Sequence, residues 1–307
     1  MDSLSMSELW AIFVMQSFNG LSSFSVLLLM ALGLAIIFGQ MGVINMAHGE
    51  FLTIGAYTTF VLSEVSQRWM PWMQGSYFIL AVVVSFFIAA SVGLLVEHLM
   101  IRHLYRRPLD TLLATWGLSL IMQQVFRSVF GAKEVSATLP DWLMGSVQPT
   151  ESIDIPINGL LVMGLTLLMT AGVFVGLFKT RWGVWVRATT QNRVMAGAAG
   201  INTRRIDKYT FALGCGLAGV AGAAFTTIGS TGPTSGSLYI VDTFLVVVFG
   251  GAESLVGTIA SAFSIAQAQS TSEFFLTGST AKVLTLLAVI LILMLRPHGL
   301  FSIRVRR

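Results

Sequence analysis

The residues that could do chemistry are few, and they lie where charge is expensive. Asn45, His48 and Glu50 stand within GVINMAHGEFLTIGAYTTFVL, a run that is otherwise apolar and helix-forming. Ionisable residues at membrane depth are rare and face a cavity or a partner, which makes this stretch a candidate solute pathway. The same residues are also tolerated at the cytoplasmic end of a helix, in the headgroup region. His48 and Glu50 are two apart and share no helix face, and no HExxH spacing occurs, so a metal site is not expected. A second polar set, Thr111, Thr115, Ser119 and Gln123, recurs every four residues as one stripe along a helix, with Gln124 beside its end. Such uncharged groups can replace the water shed by a small polar solute, whose amide-like group costs about 4 to 8 kcal/mol to move unpaired into an apolar medium. They can also bond helix to helix, for roughly 0.6 to 2 kcal/mol each. Gly250 and Gly251 interrupt an apolar run, as in broken helices that line buried, hydrated sites. No nucleophile, base and orienter fall together among four histidines and one cysteine, so an enzyme is not expected.

The elements that position these groups are membrane helices. Of 307 residues, 55% are hydrophobic and 10% charged, and the mean hydropathy is +0.80; a soluble domain carries about 25% charged residues. At about 20 residues per span the chain holds at most some ten helices, with no room for a soluble domain. The expectation is one all-α membrane bundle over residues 1–307, with eight or nine membrane segments, one of them re-entrant. The formal net charge is +4, and fourteen of the eighteen basic residues fall in 102–107, 179–208 and 296–307. That distribution marks cytoplasmic faces of a multi-pass protein in the bilayer, not a nucleic-acid surface. Cys215 is the single cysteine, a packing residue that can form no intramolecular disulfide. The N-terminus lacks the basic region of a signal peptide, and the whole chain is read as mature.

The interval 179–208 holds seven basic residues and one acid, Asp207. Thr189 or Thr190 is expected to cap a short helix through Ala199, with Gly200 taking the left-handed conformation after it. Val194, Met195 and Ala198 would give that helix a small apolar face for a soluble partner. Residues 127–157 hold acids, prolines and Trp142, and read as a non-spanning external loop. In the span after the basic interval, Gly214, Ala218 and Gly222 recur at fourfold spacing beside Cys215, Gly219 and Ala223. Two small-residue ridges predict close helix contacts on that face.

The runs GVWVRATTQNRVMAGAAGIN, GVINMAHGEFLTIGAY, GGAESLVGT and RPHGLF together resemble the permeases of the branched-chain amino acid ABC importer family. Within it, RPLDTLLATWGLSLIMQQ is more similar to the urea-type permease. Glu253 departs from the family pattern, where a glycine is more usual. The resemblance implies an inner-membrane permease that pairs with a related second permease, rests on two ATPase subunits and receives solute from a periplasmic binding protein. Arg187, Thr190, Arg193, Met195, Ala198 and Gly200 would then meet the ATPase. With no GxxxxGK[ST] in the chain, it is expected to bind no ATP and no other cofactor itself. Urea or a short amide is the expected solute, with a branched-chain amino acid as the alternative and a passive channel behind both.

Overall fold

The computed structural model describes residues 6–105, 107–150, 153–251, 254–296 and 299. The acids Glu151 and Glu253, and the RPHGLF motif apart from Arg296 and Gly299, lie outside them. Residues 10–41 carry no proline and are dominated by helix-compatible apolar side chains, and they form one unbroken helix, α1 (Met6–Met41). Its 36 residues give a length of about 54 Å. No turn separates its polar residues from the rest: Gly20 accommodates the Gln267 side chain, and Gln16 donates to the backbone oxygen of Ser270.

The remaining helices are α2 (His48–Arg68), α3 (Tyr77–Val96), α4 (Arg102–Leu104), α5 (Pro108–Phe130) and α6 (Ile157–Lys179). They continue as α7 (Arg181–Gln191), α8 (Arg193–Ala198), α9 (Thr203–Phe225), α10 (Ser235–Gly250), α11 (Leu255–Phe275) and α12 (Gly278–Leu295). A π-helical turn, Glu97–Ile101, carries α3 into α4. Pro108 opens α5, where its missing N–H costs nothing, and Gly131 at φ +89° closes it. Four stretches among the described residues are long and apolar enough to cross a membrane: Trp10–Met41, Tyr77–Leu104, Ile157–Lys179 and Gly278–Leu295.

The architecture is mostly helical, and the segment 127–157, expected to be a loop, departs from the all-α expectation. There β1 (Ser146–Thr150) pairs antiparallel with β2 (Ile153–Pro156), Val147 opposite Ile155. Val135 also bridges Thr231, the residue that precedes α10 by a short turn.

α9 is the centre of the bundle and packs on α1, α2 and α3. Both small-residue ridges are used. A Cβ added at Gly55 of α2 would lie 1.9 Å from the Gly219 oxygen, and one at Gly222 would lie 1.9 Å from the Leu52 oxygen. Lipid tails are as apolar as leucine, so such backbone-close packing, rather than hydrophobic burial, holds membrane helices together. Cys215 is fully buried with its side chain against Gly93, consistent with a packing role.

Candidate functional site

α1 ends at Gly42, φ +64°, and the chain from Gly42 to Ala47 is not helical. That connection runs back into the protein: Val43, Asn45 and Ala47 are all buried. The depth is set by His48, whose Nε2 lies 3.2 Å from the Met30 oxygen. A carbonyl only accepts, so Nε2 carries the proton and donates. Met30 lies 11 residues before Met41, the end of α1, which is about 16 Å along the axis. α2 therefore begins inside the bundle, and a stretch of irregular backbone is enclosed by helices on the way to it. Irregular backbone at such a position is tolerated where protein or a hydrated cavity satisfies it. Asn45 does part of this, its Oδ1 accepting the Ala47 N–H at 3.1 Å.

Glu50 occupies the first turn of α2, where the helix dipole favours an anion, and is 1% exposed. Its Oε1 accepts from Ser119 Oγ at 2.9 Å and from Gln123 Nε2 at 2.8 Å, and Gln123 Nε2 also reaches Ser119 Oγ at 3.0 Å. Oε2 is buried with no partner, as are Asn45 Nδ2 and His48 Nδ1. This group can accept an N–H or an ammonium. The close approach that seats it comes from α10, where a Cβ on Gly49 would lie 2.2 Å from the Gly236 oxygen. Thr53, which sequence reasoning passed over, fixes the same joint by accepting the Gly236 N–H at 3.0 Å. Among the described residues no group of three His, Cys, Asp or Glu side chains could hold a metal.

The stripe on α5 thus converges on the start of α2. Thr115 Oγ1 accepts the Met46 N–H at 3.1 Å and stands 3.4 Å from the Ile44 oxygen, so it clamps the irregular connection. Thr111 turns back instead to the oxygens of Leu104 and Arg107, both at 2.9 Å. Gln124 is exposed and stands apart from this group, because one residue is about 100° of rotation on a helix. Gly250 and Gly251 also lie elsewhere. Gly251, φ +91°, ends α10, and Gly250 packs against the backbone of Gly257 and Thr258 in α11. Gly236, which touches the α2 start, is 14 residues away from Gly250, or about 21 Å along α10. Near the end of α1, Gln40 is buried with both amide atoms unpartnered, a polar residue that the FGQMGV run could have flagged.

In the basic interval 179–208 the expected cap is displaced. Thr180 caps α7 by accepting the Gly183 N–H, and Asn192 caps α8 by accepting the Met195 N–H at 3.0 Å. Thr189 and Thr190 lie within α7 and donate to Trp185 and Val186 oxygens. Gly200 is left-handed at φ +85°, as expected. Arg187 folds back on α6, donating to the Leu177 oxygen and covering the Phe178 ring at 5.4 Å. Arg193 binds the fully buried Asp207 of α9 and stands 5.6 Å from the Tyr105 ring centroid. Tyr105 donates to Glu97 Oε1 at 2.7 Å. Burial first, then the neighbouring Glu97 carboxylate, push that hydroxyl up, so it stays protonated and keeps donating. Ala196 is buried, while Val194 and Met195 are 80% and 65% exposed and Ala198 is exposed beside them.

Membrane-length helices around an enclosed discontinuity, with a basic arm on one face, define a multi-pass permease of the cytoplasmic membrane. Residues 16–295 match the family described as branched-chain amino acid transport system / permease component, and the chain belongs to it. It is similar to the high-affinity branched-chain amino acid transport system permease protein LivH of Salmonella typhimurium, 28% identical over 97% of this chain and 98% of that one. The LivH protein of Escherichia coli is 27% identical over the same shares. BraD of Pseudomonas aeruginosa, described in the same terms, is 26% identical over 94% of this chain and 96% of its own. No solved structure matches. Each of these relatives is described by branched-chain amino acid transport, not by urea transport.

Proposed function

We propose that this chain is a permease subunit of an ABC importer whose cargo is a branched-chain amino acid. That reading takes the place of urea or a short amide as the first choice. The observation that carries it, beside the family match, is Glu50: a buried carboxylate with one oxygen committed to α5 and the other without a partner. An uncompensated buried charge costs several kcal/mol, and the α-ammonium of an amino acid compensates it where a neutral urea does not. Glu50, with Asn45, His48, Thr115, Ser119 and Gln123 around the enclosed connection, is then the pathway.

A related second permease completes the pathway, two ATPase subunits hydrolyse ATP, and a periplasmic binding protein delivers solute to the external hairpin. The exposed Val194, Met195 and Ala198, on a helix anchored from behind, support α8 as the ATPase contact. α1, α2, α3, α5, α6, α9, α11 and α12 have the length of spans, and α10 at 16 residues is the short ninth. Uptake of labelled leucine, isoleucine, valine and urea by cells expressing the complete transporter tests the cargo. Urea uptake without leucine uptake would overturn the assignment.

A further inference from the structure

The end of α3, α4 and the first turns of α9 enclose a cavity of about 1070 Å³ that plays no part in the pathway above. Arg102, Arg107, Arg193, Arg204, Arg205 and Lys208 line it. Arg107 reaches Asp110 at 3.5 Å and Arg193 holds Asp207. Among the described residues, Arg102, Arg204, Arg205 and Lys208 have no carboxylate partner. The one acid on the wall, Glu97, already accepts the Tyr105 hydroxyl. Like charges gathered around a cavity repel unless an anion enters it. The N-terminus of the 23-residue α9 opens at the same place, with Asn202 capping the Arg205 N–H at 3.1 Å, and adds the positive end of its dipole.

We propose that this cavity binds the phosphate headgroup of an anionic phospholipid of the cytoplasmic leaflet. Leu95 and Leu99, on the turns that carry Glu97 and His98, are exposed, and so is Leu109 just beyond Arg107. An apolar surface therefore rises from the rim of a basic cavity, which matches acyl chains joined to an anionic head. A soluble phosphate has no use for that surface. The exposed α8 residues Val194 and Met195 do not line the cavity, and Arg193, which does, is turned inward onto Asp207.

Native mass spectrometry of the transporter purified from its membrane tests this. The wild type should retain phosphatidylglycerol or another anionic phospholipid. Arg204→Gln with Arg205→Gln should weaken retention by roughly fivefold per cation removed, while Arg204→Lys with Arg205→Lys keeps it. Adding the lipid back in phosphatidylcholine vesicles containing phosphatidylglycerol should restore it to the wild type, and inorganic phosphate should not displace it. The proposal fails if the wild type carries no anionic lipid, if the glutamine variant retains as much, or if free phosphate displaces it. It fails too if the glutamine variant loses the ATPase in place of lipid. The lysine variant separates loss of binding from loss of folding, since both variants remove the same guanidinium geometry and only one removes charge.

Discussion

α9 and α5 have the same length, 23 residues each, and are held in opposite ways. From Thr210 onward α9 is buried almost residue for residue, with its glycines against the backbones of α1, α2 and α3. α5 buries Thr111, Thr115 and Ser119 and leaves Leu109, Leu113, Trp116, Ile121, Val125 and Val129 exposed. One helix is fixed by shape, which cannot yield without a clash. The other is held at its far end by Phe126 and Phe130 against Tyr57, and before that by a few hydrogen bonds, each worth about 1 kcal/mol net and exchangeable with water or solute. In a transporter the second kind of attachment is the one that can respond to cargo.

The largest effect should come from breaking the shape-held side of this contrast. Gly222→Val places atoms where even a Cβ would lie 1.9 Å from the Leu52 oxygen. Overpacking costs about 1 to 3 kcal/mol and more against rigid backbone, so membrane yield should fall at least about tenfold. A variant that accumulates and melts like the wild type would remove α9 from the centre of the account. Next, Val194→Glu with Met195→Glu charges the exposed face of α8 and spares its anchor to α9. Permease yield should hold while co-purifying ATPase drops by roughly 30-fold, as for loss of a central interface contact. Retained and stimulated ATPase would leave the arm as a topological anchor only. Arg193→Glu is a poorer probe, because it also breaks the bond to Asp207.

On the α5 side, Glu50→Gln keeps size and one acceptor oxygen but removes the charge. Leucine uptake per assembled complex is expected to fall roughly 30-fold, the equivalent of about 2 kcal/mol. Equal turnover would mean that Glu50 serves only to suspend α5. Smallest is Thr115→Val, which deletes the bond to Met46 and should slow uptake about fivefold in proteoliposomes at saturating ATP. Gln124→Leu, outside the cluster, should change nothing there. A matching loss in both would show that α5 tolerates no substitution of this kind at all.

Residue spacing made the α9 ridges and the α5 stripe legible, because fourfold recurrence is a direct statement about one helix face. The same rule separates Gln123 from Gln124, which differ by one position and face different ways. Re-entry between α1 and α2 was hidden, since Gly42–Ala47 is as apolar as the helices it joins and only Asn45 and Gly42 mark it. The cap at Asn192 was missed because hydroxyls at Thr189 and Thr190 are equally able to cap or to bond back within a helix, and Thr180 had already started one. Acids and prolines in 127–157 drew attention away from the alternation around Val147 and Ile155 that lets a hairpin form there.

Where Gly55 meets Gly219 and Gly49 meets Gly236, the joint is main chain against main chain. Side-chain interfaces can slide by changing rotamer, passing through many small steps of similar energy. A joint without side chains has no rotamers to change, so α2, α9 and α10 are coupled as one lever. Any alternation between outward and inward openings must then be a rigid-body swing of that lever against its neighbours, in the manner of a rocker rather than a bellows.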